Sequence, residues 1–467
     1  MSVLWTTEAF VAAVSPVSQP GGIKDVTGIS IDSRTIGEGD AFFAIKGDQF
    51  DGHAFARTAL EAGAAVVVLD EAQRADFADI GERVVFVDDV LKALERLGRA
   101  ARARMKGKVI AITGSVGKTS TKDALRAALA PSGRLHAANA SFNNHWGVPL
   151  TLARMPEDAE FGIFEVGMNH PGEIRTLIDM VKPHLAAITT IVAAHIGNFN
   201  SIDEIAAAKA EIFEGVVEGG AVLLNADNAF DGYLTDIAKD LGIAHIHHFG
   251  RAAHADIRLE ALDLQADGSD LTLSLFGEPV SCHVAAAGEH LAMNALAVFG
   301  LVRLAGGDVE AACLALGTHG ASKGRGERHE LAVRGGTVSL IDESYNANPS
   351  SVAAALATLG LSETKGRKIA VLGDMLELGE ESAEMHAALL PAIQSAGIDR
   401  LYLCGPMMAH LWEIAPVELR GIYANSSADL VAPLCEALRD GDAVMVKGSL
   451  GSRMGPIVQS LLEEFKQ

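Results

Sequence analysis

Thr113-Gly114-Ser115-Val116-Gly117-Lys118-Thr119-Ser120 closes the apolar run Lys108–Thr113 and opens the helix-like stretch Thr119–Leu129. A strand that passes through a glycine turn into a helix aims backbone N–H groups and a helix N-terminus at one point, where an anion is favoured. Lys118 adds a point charge there, and Thr119 adds a hydroxyl able to face Mg²⁺. The pattern departs from the general phosphate loop, because Ile112 stands where G-x-x-x-x-G-K-[ST] has its first glycine. An ordinary glycine-rich strand–helix turn is the competing reading. The Lys-Thr ending directly after a strand favours nucleotide phosphate, with Gly114, Ser115, Gly117, Lys118, Thr119 and Ser120 as its cradle.

Outward from this turn the pattern repeats strand, loop and helix. Val109–Thr113, Phe161–Val166, Leu185–Ile191 and Ala221–Leu224 read as strands bounded by turn residues, which predicts a mostly parallel sheet covered by helices. Between Ile257 and Val284, period-two runs around Asp267-Gly268 and Gly277 predict an antiparallel addition. Residues 1–107 alternate the short strands Ala41–Ile45, Ala65–Leu69 and Val84–Val87 with helical stretches, and the basic helix Lys92–Lys106 leads to a domain boundary. A third α/β segment over 318–467 carries candidate strands Val338–Asp342, Lys368–Gly373, Arg400–Cys404 and Ala443–Lys447. Its last helix repeats Met454, Ile457, Val458, Leu461, Leu462 and Phe465 at intervals that bury one face. The expected domains are therefore 1–107, 108–317 and 318–467, in keeping with a length prior of about three domains.

The composition, 49% hydrophobic and 21% charged, is that of a globular chain. A formal charge of −22 opposes non-specific binding to nucleic acid or an anionic membrane, so an anionic substrate needs a local basic pocket. The N-terminus shows no basic leader, Glu8 interrupts its apolar run, and no stretch of about 18 apolar residues occurs, so a cytoplasmic protein without membrane insertion is expected. Cys282, Cys313, Cys404 and Cys435 are far apart in sequence, and buried free thiols are expected.

Several residues at predicted strand ends could carry chemistry. Glu165 closes Phe161–Val166, where open α/β sheets bind ligands; a Mg²⁺ ligand and a helix cap are equally open readings. His195 follows another strand, but imidazole is a poor ligand for hard Mg²⁺. Lys209 lies in the helical stretch Ser201–Val217, and residue physics alone favours a solvated lysine. Asp342 precedes the loop Glu343–Pro349 and could accept two ribose hydroxyls or cap a helix. His245-Ile246-His247-His248 lies on an alternating strand without partner Cys or carboxylates and reads as structural.

Taken together, TGSVGKTSTK at Thr113–Lys122, SFNNHWGVPLT at Ser141–Thr151, EVGMNHPGEI at Glu165–Ile174, AKAEIF at Ala208–Phe213, IDESYNANP at Ile341–Pro349 and VLGDMLELG at Val371–Gly379 resemble the Mur ligases, in that family's order. The resemblance implies an ATP-dependent amide-bond-forming enzyme with a small uridine-nucleotide domain, a central P-loop ATPase domain and a Rossmann-like C-terminal domain. It implies that Lys118 and Thr119 bind ATP phosphates and Mg²⁺, and that Glu165 and His195 hold a second Mg²⁺ supported by a carbamylated Lys209. It places Asn294 near adenine, Asp342 near ribose, and Tyr345 and Asn346 in the same pocket. Arg325 matches the arginine that meets the γ-phosphate, with Arg328 as its rival because the spacing to the following Glu differs.

Ser33, Arg34, Lys46, Asp51, Gly52 and His53 are similar to the uridine-nucleotide domain of the two late-acting members, and the early members' dinucleotide fingerprint is absent. The third-residue-adding member's Asp-Asn-Pro-Arg motif is absent too. The implied substrates are thus UDP-N-acetylmuramoyl-tripeptide, activated as an acyl phosphate, and D-alanyl-D-alanine, with Asn143, Asn144, Lys447 and Ser449 as further contacts and a monomer as the working unit. Folylpolyglutamate synthetase, with similar central motifs, and a catalytically silent nucleotide-binding scaffold are the alternative readings.

Overall fold

The protein is described from a computed structural model, which covers every residue except Met1, Gln19, Asp48, Gln49, His195 and Gln467. Among the described residues, the strands form three sheets of four, nine and six strands. In the first, Gly28–Ser30, Asp40–Phe43, Val66–Asp70 and Val84–Val87 lie in chain order and pair in parallel. Val66 to Leu69 are buried without interruption, as a strand covered on both faces requires. The helix Val90–Arg104 starts where Asp89 accepts a hydrogen bond from Lys92 N at 2.8 Å, and it buries Val90, Leu94, Leu97 and Ala101 against Phe10, Phe43 and Val85. Leu150 and Ala153 of the next body complete this same core. Trp5 Nε1 donates to Ala153 O at 2.9 Å and Arg154 Nε to Ile29 O at 2.6 Å, so the first body is docked by shared packing as well as by polar contacts.

The second sheet holds Leu135–Ala137, Phe161–Glu165, Lys108–Thr113, Leu185–Ile188, Ala221–Asn225, His245–Gly250 and Ile257–Leu264 in parallel, followed by Ser269–Leu275 and Glu278–Val284 in antiparallel pairing. The chain first builds outward on one side of Lys108–Thr113 through Phe161–Glu165, then on the other through Leu185–Ile188. That reversal is a topological switch point, and the crevice beyond the carboxyl ends of such strands is where α/β sheets bind ligands. The phosphate-type turn leaves this crevice.

In the third sheet Glu327–Val333 pairs antiparallel with Gly336–Glu343, and Ala443–Lys447, Lys368–Gly373, Arg400–Cys404 and Arg420–Ala424 continue in parallel. The closing helix Gly455–Glu464 buries Ile457, Val458 and Leu461, the face its spacing requires.

Beyond the three-residue Gly28–Ser30, three more strands were not anticipated: Leu135–Ala137, Glu327–Val333 and Arg420–Ala424. Each lies at or beside a sheet edge and is largely half-exposed, so no continuous apolar run marks it. The stretch Ser201–Val217 is helical as Ile202–Ala210 and then tightens into a 3₁₀ turn over Glu211–Gly215. The four cysteines are free, but only Cys404 is fully buried. Among the described residues no helix is long and apolar enough to cross a membrane.

Candidate active site

Gly114 and Gly117 shape the turn because nothing larger fits. Gly114 has φ +152°, and an added Cβ would lie 1.9 Å from Thr189 Oγ1; Gly117 has φ +86°, and a Cβ there would lie 2.9 Å from Asn294 Oδ1. Thr189 Oγ1 donates to Val116 O at 2.6 Å, and Ser115 N donates to Thr190 O at 2.8 Å, so the loop after Leu185–Ile188 clamps the turn from outside. Ser115 Oγ is spent on that clamp, donating to Val192 O and accepting from Val192 N. Lys118 Nζ lies over the turn, 2.7 Å from Gly114 O. Burial holds its ammonium below the ordinary lysine value, with Glu165 opposing and Arg325 adding to the effect. A desolvated cation above a helix N-terminus favours an anion strongly.

Thr119 Oγ1 lies 2.9 Å from Glu165 Oε2 and 3.1 Å from Ser141 Oγ, and Asn143 Nδ2 donates to Glu165 Oε1 at 2.7 Å. Glu165 is therefore fixed at its strand end by both neighbours rather than acting as a helix cap. Lys122, fully buried, donates to Ala138 O and Ala140 O and so holds the loop that presents Ser141.

These groups form one wall of a cavity of about 490 Å³, and residues of the C-terminal body form the facing wall. Arg325 stacks on Tyr345 with 4.2 Å from Cζ to the ring centroid, and its Nη2 lies 3.5 Å from Ser141 Oγ. Ser322 Oγ donates to Asp123 Oδ2 at 2.8 Å, pinning the segment before Arg325 onto the helix that follows the turn. Lys447, buried, donates to Glu343 Oε2 at 2.9 Å and Asn346 O at 3.0 Å. Asn294 and Asn346 line the same space. So does His290, which burial keeps below the usual histidine range.

Lys209 is buried at 2% exposure, which overturns the solvated reading that residue physics alone favoured. Its own helix pattern carries no mark of that burial. Desolvation, reinforced by the nearby Lys118 charge, puts its amine well below the ordinary lysine value. His195 lies outside the described residues.

Other expected residues are not brought to the cavity. Asp342 is buried beside it: Oδ1 accepts from Ser344 N and Oγ, and Oδ2 from Gly324 N, so its carboxylate shapes the turn bearing Tyr345 while Glu343 faces the cavity. Arg328 is absent from the lining and its buried Nη2 has no hydrogen-bond partner. Asn144 Oδ1 accepts from Gly147 N, and Ser449 Oγ joins Leu376 N to Ala347 O.

Ser33, Arg34, Lys46, Asp51, Gly52 and His53 belong to the first body, apart from the cavity. There Arg34 is 87% exposed and paired with Asp32, while the backbones of Lys46 and Asp51 pair as an isolated antiparallel β-bridge. Gly52 leaves no room for a Cβ against Ile45 O. His53 is buried between Asp51 Oδ1 at 2.6 Å and Asp70 N at 3.0 Å.

Sequence reasoning missed Ser141, Lys122, Glu343 and His290. Ser141 stands two residues before Asn143 at the head of the SFNNHWGVPLT stretch that carries part of the family resemblance; the others depend on contacts distant in sequence.

The Mur ligase middle-domain model matches residues 112–302, the Mur ligase glutamate ligase domain model residues 324–450, and the Mur ligase family catalytic-domain model residues 25–102. UDP-N-acetylmuramoyl-tripeptide--D-alanyl-D-alanine ligase of Rickettsia prowazekii is 31% identical over 92% of this chain and 94% of its own length. The Bacillus subtilis enzyme of that name is 33% identical over 94% of this chain and 93% of its own. The crystal structure of MurF from Acinetobacter baumannii superposes with a TM-score of 0.84 at 28% identity, covering 98% of this chain and 99% of that one. Similarity that runs the length of the chain in sequence and in fold makes this protein a member of the Mur ligase family.

Proposed function

We propose that this chain joins D-alanyl-D-alanine to UDP-N-acetylmuramoyl-tripeptide at the expense of ATP, giving the pentapeptide precursor of peptidoglycan. The observation that carries the reading is the single cavity shared by the glycine turn with Lys118, the Thr119–Glu165 pair and the Arg325–Lys447 wall. Two relatives alike over nearly their whole length bear the name of that activity.

The site suits the groups this reaction needs. Gly114 and Gly117 let the turn pack against Thr189 and Asn294 and bend directly into a helix N-terminus, where phosphate is favoured. The oxygens of Thr119, Ser141 and Glu165 are the hard donors Mg²⁺ prefers. Mg²⁺ held there supplies positive charge against the moving phosphoryl group. Lys118 and Arg325 add fixed positive charge from opposite walls, and Tyr345 holds the guanidinium flat. The substrate carboxylate attacks the γ-phosphorus, ADP leaves, and the amine of the dipeptide then displaces phosphate from the acyl carbon. Water is kept from the acyl phosphate by closure of the walls.

Burial lowers the Lys209 pKa and so raises the share of free amine, which can add CO₂ with loss of a proton; the carbamate would carry the negative charge that a second Mg²⁺ held by Glu165 and His195 would call for. Asn294, Tyr345 and Asn346 take the nucleoside side, and Asp342 sets their loop through Gly324 and Ser344. Residues 1–107 take the uridine nucleotide, 108–317 ATP, and 318–467 the dipeptide. A monomer is the working unit in this reading, and both nucleotide substrates support a cytoplasmic setting.

Phosphate release measured with ATP, Mg²⁺ and the tripeptide nucleotide tests this. It rises on adding D-alanyl-D-alanine if the reading holds; ATP binding without dipeptide-dependent turnover at saturation would refute it.

A further inference from the structure

The histidines of His245–Gly250 acquire partners that the linear sequence does not show. Asp231, at the start of the helix Asp231–Asp240, reaches His248 Nε2 with Oδ1 at 3.3 Å and His254 Nε2 with Oδ2 at 3.1 Å. One ligand atom from each of the three residues lies within 4.8 Å of the others. Tetrahedral zinc, with metal–ligand bonds of about 2.0–2.2 Å, separates its ligand atoms by roughly 3.3–3.6 Å, so small side-chain rotations bring one Asp231 oxygen and the two imidazole nitrogens to that spacing. Asp231 Oδ1 is buried and accepts no hydrogen bond, although His248 is close, which leaves a lone pair directed into the cluster. The two imidazole rings are 5.2 Å apart and 70° to each other, so they converge on the carboxylate rather than stack.

We propose that Asp231, His248 and His254 form a binding site for a divalent transition ion of the zinc class, separate from the ATP site. Two imidazoles and one carboxylate favour zinc over magnesium, which selects oxygen. Thr235 Oγ1, 3.1 Å from His248 Nε2, competes for that nitrogen and turns aside when the ion binds.

The site ties the helix Asp231–Asp240 to the loop 251–256. That loop is anchored at its other side by Asp227, which accepts from Arg251 N and Ala252 N. Arg251 in turn reaches Glu289 at the head of the helix Glu289–Ala305 and lines a second cavity toward the C-terminal body. An ion at the cluster thus steadies a loop bordering the interface between the two bodies.

The test titrates full-length, metal-stripped protein with Zn²⁺ in excess Mg²⁺, with Co²⁺ as a spectroscopic substitute. Wild type should take up one Zn²⁺ and show the intense visible bands of four-coordinate Co²⁺. The half-exposed His254→Ala and the near-isosteric Asp231→Asn should each weaken binding by about 10-fold or more and abolish those bands. Their melting temperatures without metal should match wild type, which separates ligation from folding. Unchanged Zn²⁺ affinity in both variants overturns the proposal. So does loss of binding on His245→Ala or His247→Ala in place of them, or the absence of stoichiometric binding in wild type.

Discussion

Thr119 Oγ1 and Glu165 Oε2 meet at 2.9 Å, joining the first turn of a helix to the end of a strand across the crevice where the central sheet reverses its order. The helix fixes the hydroxyl and Asn143 fixes the carboxylate, so neither reorganises when charge develops nearby. Glu165→Gln and Thr119→Ala should each lower kcat by about 10²-fold with unchanged melting temperature. Steady-state kinetics over a Mg²⁺ series checks this; an unaltered kcat in both would remove the pair from the metal site.

The glycine turn predicts a graded pair of variants. Gly117→Ala meets the flexible end of Asn294 and a left-handed backbone, at a cost of roughly 1–2 kcal/mol. Gly114→Ala drives a methyl into Thr189, which is itself locked to Thr113 O and Val116 O, so it should be the more damaging. Nucleotide binding followed by calorimetry should weaken in the order wild type, Gly117→Ala, Gly114→Ala.

Arg325 and Arg328 should separate cleanly. Arg325 lines the cavity on the Tyr345 ring, whereas Arg328 does not reach it. Arg325→Ala should lose about 10³-fold in kcat, within the range for an arginine that stabilises a transferring phosphoryl group. Arg328→Ala should act on thermal stability with kcat nearly intact, and the opposite split would exchange their roles.

Lys209→Ala should lower turnover roughly 10–100-fold. Wild-type protein depleted of CO₂ should lose activity and regain it with bicarbonate, while Lys209→Ala should not respond to bicarbonate. Full activity in that variant would take Lys209 out of the site.

Acid stability should report His184. Burial, with Arg102 and Lys108 nearby, lowers its pKa to about 4, and Nδ1 accepts from Val109 N at 2.9 Å. Unfolded histidine titrates near 6.5, so between about 4 and 6.5 the unfolded chain binds the extra proton and stability rises with pH. The melting temperature should fall as pH drops through that window. His184→Asn, which keeps an acceptor for Val109 N and cannot titrate, should flatten the slope.

The elements legible in the sequence were those whose signal is local. Lys368–Gly373, Arg400–Cys404 and Ala443–Lys447 have the bounds their apolar runs indicate, because strands covered on both faces must be apolar throughout. Arg420–Ala424 is half-exposed at an edge and carries no such mark. The turn at Gly114–Thr119 was readable because its chemistry is contiguous. The burial of Lys209, the Lys447–Glu343 pair and the Lys122 anchor depend on chain segments far apart in sequence, so only the fold discloses them. The His245–His248 run seemed to lack a carboxylate because Asp231 approaches from a different element.

The central claim is that the substrate carboxylate takes the phosphoryl group in this cavity. It is tested most directly by labelling the terminal carboxylate of UDP-N-acetylmuramoyl-tripeptide with heavy oxygen, running the complete reaction with ATP, Mg²⁺ and D-alanyl-D-alanine, and analysing the released phosphate by mass spectrometry. One labelled oxygen in the phosphate for each amide formed is the predicted result, since that oxygen leaves with phosphorus when the amine attacks. Amide formation with unlabelled phosphate would contradict the account.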